Sequence, residues 1–100
     1  MTEREGFNLA ELRRVVYTRE RGVCQACGEA VPFPGELAHR IAQSKMNLEK
    51  YGKRIIHHPS NLALVCRGKP CCNDRMSIRS PMLVVKLVTK IRGRIMEESR

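Results

Sequence analysis

The placement of the cysteines constrains this chain more than any other feature. Cys24 and Cys27 form C-Q-A-C with Gly28 directly after, and far downstream Cys66, Cys71 and Cys72 stand in C-R-G-K-P-C-C. A reducing compartment does not keep disulfides, so thiols at this density in a chain without an export segment point to metal. A C-x-x-C turn presents two sulfurs on one side of a tetrahedron, and a second turn supplies the other two, which is the spacing of a four-thiolate zinc site. A redox C-x-x-C, or cysteines used as small buried apolar groups, are the ordinary alternatives. A redox pair has no need of the downstream cluster. The second pair is irregular: Cys66 to Cys71 leaves four intervening residues and Cys66 to Cys72 leaves five, so either closes the site.

Zinc answers a need set by size. One hundred residues make one domain, 1–100, and a chain this short buries a modest core. Aromatic residues supply only 4% and Trp is absent, which excludes a large aromatic core. A structural metal adds the missing folding free energy. The charge is lopsided, 19 Lys+Arg against 10 Asp+Glu for a formal +9, and this favours a polyanionic partner, nucleic acid ahead of an anionic membrane surface. No apolar run approaches the roughly 20 residues of a bilayer span, and there is no signal-like apolar segment, so a soluble, cytoplasmic protein is expected.

Local signals order the chain. Asn8 with Glu11 reads as a capping box and Phe7 with Leu12 as a hydrophobic staple, opening a helix over 8–20 with Leu9, Leu12, Val15 and Val16 at helical spacing. Residues 1–6 are polar and expected to fray. Pro34-Gly35 signals a turn, after which residues 36–41 are expected as the returning strand of a hairpin, with Leu37, His39 and Ile41 on one face and Glu36, Ala38 and Arg40 on the other. Ser44 is expected to cap a short helix Lys45–Tyr51 that Gly52 ends. Residues 55–61 read as a Pro-broken loop and 62–65 as a short apolar run into Cys66. Residues 73–79 read as the first turns of a helix leaving the second knuckle. Ser80-Pro81 restarts a helix over 81–98, whose stripe Leu83, Val84, Leu87, Val88, Ile91 and Ile95 is core or, less simply, a dimer seam. Monomer and homodimer both stay open.

Three strings now stand in order: A-H-R-I at 38–41, H-P-S-N-L-A-L-V-C at 58–66 and C-C-N-D-R at 71–75. With the C-x-x-C knuckle they resemble the HNH nucleases, also called ββα-metal or His-Me finger nucleases, in the branch that carries a zinc knuckle. The resemblance covers about 20–79. It implies an α+β fold, a small zinc-stabilised ββα-metal (treble-clef-like) domain flanked here by N- and C-terminal helices, and an endonuclease that hydrolyses DNA phosphodiesters with a divalent ion. By that resemblance His39 is the general base, suited by a pKa near 6.5 that leaves it largely neutral. Asn61 lies on the loop that orients the imidazole. Asn73 binds the catalytic Mg²⁺, or Mn²⁺ or a related ion, through its amide oxygen. The zinc, on Cys24, Cys27, Cys66 and Cys72, is separate and structural. Cys72 is preferred over Cys71 because it gives Asn73 the family's Cys-Asn order.

The chain departs from the family at Ala38, where many members carry an Asp that binds the catalytic ion. Glu36 or His58 are the candidate substitutes, and Mg²⁺ also keeps waters readily. Arg40, Lys45, Lys53, Arg54 and Arg75 are expected along the DNA phosphates, with a steep salt dependence, although a solvated basic face is their commoner use. In the same way His39 has an ordinary use in hairpin packing, Asn61 in an Asx turn and Asn73 in a helix cap. The competing function is a zinc module that binds DNA or a protein without catalysis.

Overall fold

The computed structural model describes residues 8–99, which leaves Phe7 and its expected staple outside the described residues. Helix α1, Leu9–Arg19, begins as its cap dictates: Asn8 is extended and its side-chain oxygen accepts from the Glu11 N–H at 3.1 Å. Glu11 turns its carboxylate to Arg14 rather than back to the cap. The inner face of α1 carries Val16, fully buried, and Tyr17, whose hydroxyl donates to the Val31 carbonyl at 2.6 Å while its ring meets Phe33 edge-on. At the far end the Arg19 guanidinium donates to the carbonyls of Pro59 (2.8 Å) and Leu62 (2.6 Å), tying α1 to a segment forty-odd residues away.

The sheet corrects one expectation. Strand β1, Glu36–His39, does not return against the segment before the Pro34-Gly35 turn; it pairs antiparallel with β2, Leu62–Val65, in the register Glu36↔Val65, Leu37↔Leu64, Ala38↔Ala63 and His39↔Leu62. β2 is buried at every position, as a short all-apolar run must be, and it templates the polar-edged β1. Gly35 permits the approach. Its φ is +66°, and a Cβ there would sit 2.6 Å from Leu64 Cδ1 and 2.9 Å from Val31 Cγ1. The strand stops at His39, so Ile41 leaves the expected strand face and is buried elsewhere.

Between the strands lie α2, Lys45–Tyr51, capped by Ser44 and closed at Gly52 as expected, and a helical turn α3, Lys53–Ile56, which takes in Ile55 and Ile56 from the expected loop 55–61. A 3-10 turn, Pro59–Asn61, delivers β2. Helix α4 spans Pro70–Arg75 and packs on β1. It starts three residues earlier than the sequence suggests, because Pro70 is accommodated in a first helical turn, and it ends at Arg75, short of the expected 79. Helix α5, Pro81–Glu98, opens with the Ser80 side chain accepting from Leu83 N–H.

Two apolar cores result. The first gathers Val16, Val31, Ala38, Leu62, Leu64 and Val65 around Cys24, Cys66 and Cys72. The second joins Ile41, Ile55 and Ile56 to Val88 and Ile91 of α5. At roughly 1.5–3 kcal/mol for each fully buried aliphatic side chain, either core alone is small beside the chain entropy it must offset. Among the described residues no helix is long and apolar enough to cross a membrane.

Candidate functional site

The thiols of Cys24, Cys27, Cys66 and Cys72 converge, with all four Sγ atoms within 4.8 Å of one another. A zinc ion with bonds of about 2.3 Å demands sulfur–sulfur edges of about 3.8 Å, and Cys27 and Cys66 already stand 3.6 Å apart. The first turn is built by backbone: Cys24 N–H donates to Glu29 O, Gly28 N–H to Cys24 O, and Val23 bridges Ala30. Gln25 N–H then donates to Leu64 O, docking this turn on β2, and Arg75 of α4 donates to Ala26 O from the other side. Helical geometry chooses between the adjacent cysteines. Residues next to each other on α4 point about 100° apart, so Cys72 enters the cluster, buried, and Cys71 is left exposed.

The electrostatics of the cluster ask for a cation. Burial pushes the Cys24 thiol up, but the backbone N–H groups of Cys27, Ala26 and Cys66 overcome this and bring it down to about 6. Its neighbours move the other way. Hydrogen bonding to Cys27, then burial and the Cys24 charge, raise Cys66 to about 11; burial first, then the surrounding thiols, raise Cys72 to about 12. Cys24 thus favours the thiolate while Cys66 and Cys72 resist it, and a dication would supply the compensating charge.

His39, at the end of β1, is half-buried and lines a cavity of about 380 Å³ with His57, Arg13, Glu36, Gln43 and Arg67 among its walls. His57 stands at the C-cap of α3. It lies with Nδ1 3.2 Å from Nε2 of His39, the rings edge to face. Burial, and then the charge of the partner imidazole, lower the pKa of His39; burial and then Lys53 lower that of His57. No local sequence pattern announces this pair, since a four-residue helix sets it.

Asn61 is completely buried, and its side-chain hydrogen bonds go to backbone rather than to the imidazole. Its Oδ1 accepts from Ile41 N–H at 2.8 Å, and its Nδ2 donates to Ile41 O and Ile56 O. Its own carbonyl accepts from Arg40 N–H. The side chain therefore staples the exit of β1 to the exit of α3, the two segments that carry His39 and His57. His58, buried, accepts from Ser60 N–H at Nδ1, which places the proton on Nε2, 3.1 Å from the Glu98 carboxylate of α5. Both ring nitrogens are thereby engaged, and His58 is no substitute ligand. No family model, curated protein or solved structure matches the chain.

Asn73 lies in the middle of α4 rather than at its start, half-buried, in a second depression of about 290 Å³ with Glu36, Asp74 and Lys69. The two depressions are neighbours and Glu36 lines both. Ala38, by contrast, is fully buried in the first core; a ligand could not be offered from that position without opening the core. Lys45, Lys53 and Arg54 are exposed, whereas Arg40 is half-buried in a shallow groove beside Lys86 and Lys90 of α5.

Proposed function

We propose that the protein is a metal-dependent DNA endonuclease of the HNH (His-Me finger) type, built on a treble-clef-like ββα centre around a structural zinc. One observation carries the reading: His39 on β1 and Asn73 on α4 line adjacent depressions that share Glu36 as their common rim. In-line displacement at phosphorus needs the attacking water and the departing oxygen on opposite sides, and a phosphodiester laid over this rim has an imidazole on one side and oxygen donors on the other. His39, held neutral by burial and its neighbour, takes a proton from water as the new P–O bond forms. The P–O3′ bond breaks with its electron pair on the 3′ oxygen, which then takes a proton from solvent, giving a 5′ phosphate and a 3′ hydroxyl. Asn73, with Glu36 and Asp74, offers the hard oxygen donors that Mg²⁺ or Mn²⁺ prefers; when bound, the ion would stabilise the charge on the departing oxygen. Lys45, Lys53 and Arg54, exposed, would track flanking phosphates.

The test is nicking of supercoiled plasmid in Mg²⁺ or Mn²⁺. Divalent-dependent cleavage that falls by about 10²–10⁴ in His39→Ala is expected, together with one zinc per chain by metal analysis. Cleavage unaffected by His39→Ala sinks the assignment. Ala38, a core residue where an acidic ligand would stand, favours the second reading, a zinc module that binds DNA without cutting it; tight binding with no cleavage in any divalent ion selects that reading.

A further inference from the structure

We propose that His57 is the positioning residue for the His39 imidazole, accepting a hydrogen bond from His39 Nε2–H and so making Nδ1 of His39 the proton-accepting atom. The inference rests on the reading of His39 as general base and names the partner that makes it one.

Two imidazoles at 3.2 Å share a single proton between the facing nitrogens, and the direction of sharing decides function. If His57 Nδ1–H donated, neutral His39 would carry its own proton on Nδ1 and keep no lone pair for water. If His39 Nε2–H donates, Nδ1 of His39 is free and the imidazolium formed during catalysis keeps a charge-assisted hydrogen bond to His57. The second arrangement requires His57 to stay neutral. The groups around the pair provide for this. Arg13 of α1, Lys53 of α3 and Arg67 after β2 are cationic and disfavour a second proton, and among the described residues of the cavity wall Glu36 of β1 carries the opposing charge. Burial acts in the same sense on both rings.

The distance between the rings is imposed by backbone. Asn61 binds Ile41, two residues past His39, and Ile56, one residue before His57, through the same carboxamide. His57 N–H is itself bonded to Lys53 O at 2.9 Å, and the next residue, His58, is anchored to Glu98 on α5. The orienting function expected of Asn61 is thus divided: Asn61 sets the frame and His57 makes the contact.

The experiment is long-range ¹H–¹⁵N correlation spectroscopy of the histidines in the zinc-loaded protein near pH 7.5, paired with plasmid-nicking kinetics. Wild type should show His39 as the Nε2–H tautomer. His57→Ala should convert it to a tautomer mixture and lower kcat about 10- to 100-fold, the scale of a mispositioned catalytic group, with KM for DNA nearly unchanged. His57→Asn, whose Oδ1 stands about where Nδ1 did, should restore both; His57→Gln should not. An Nδ1–H tautomer in wild type, or a tautomer and kcat indifferent to His57→Ala, overturns the proposal. If wild type cleaves nothing in any divalent ion, the nuclease reading fails by itself. The tautomer series then still decides whether His57 orients His39.

Discussion

The two cores of this protein are of opposite kind, and the aliphatic one is the smaller. One is organised by sulfur: the four thiols supply the point where α1, the strands and α4 meet, and hydrocarbon fills in around them. The other is nearly pure isoleucine and valine, set between α3 and α5 with no polar centre. Asn61 is the seam. It leads directly into β2 of the first core while its carboxamide grips Ile41 and Ile56 of the second. The contrast teaches how a short chain with few aromatics can hold a polar cleft. The sulfur side gathers the strands and α4 around the thiols, the aliphatic side contributes the second imidazole, and one buried amide registers them against each other.

Stripping the metal should break the comparison most severely. A strong chelator removes on the order of 10 kcal/mol of apparent folding free energy, and the second core alone is too small to stand. Loss of far-UV helicity and of amide protection throughout the chain is expected; protection surviving in α5 alone would show the cores to be independent. Asn61→Ala comes next. It leaves the Ile41 N–H and O and the Ile56 O without partners in a fully buried position, at about 1–3 kcal/mol per group. A stability loss of about 4 kcal/mol by denaturant titration is the expectation, and a loss below about 1 would mean the seam is dispensable.

Ile91→Ala acts on the aliphatic side only. A fully buried Ile truncated to Ala costs about 2–5 kcal/mol, and hydrogen exchange should rise in α3 and α5 while zinc stoichiometry stays at one. Loss of zinc in this variant would mean that the sulfur side depends on the aliphatic side as much as the reverse. The pH response is smaller and sharpens the role of the imidazole pair. Both rings have folded-state pKa values lowered below 6.5, so below about 6.5 the unfolded chain binds more protons than the folded one. Stability is therefore full above that pH and falls as pH drops from there toward the folded values. The denaturation midpoint of the zinc-loaded protein should show this slope, and a variant with both His39 and His57 replaced by Asn should lose that part of it. Smallest of all is Cys71→Ser, which should shift stability by no more than about 0.5 kcal/mol and leave metal content unchanged; the same change at Cys72 should abolish tight zinc binding.

The features legible beforehand share a cause. Asn8, Ser44 and Ser80 each bond a backbone N–H three residues ahead, and the C-x-x-C turn closes within its own residues. Such contacts depend on neighbours in the chain, so residue order alone reveals them. The choice of Cys72 over Cys71 was half legible: the ligand type was written in the sequence, but the facing residue awaited the phase of α4.

By itself, then, the sequence determined the caps, the apolar stripe of α5, the thiol spacing and the basic excess, all of which are properties of short stretches or of sums. Only the tertiary structure decided that β1 pairs with a strand beyond two intervening helices, that Asn61 is a staple between cores, and that His57 meets His39. The strand pairing, the Asn61–Ile41 bonds and the His39–His57 contact each join residues 18 or more positions apart. Their adjacency follows from how buried surfaces are shared between elements, and no local spacing encodes that.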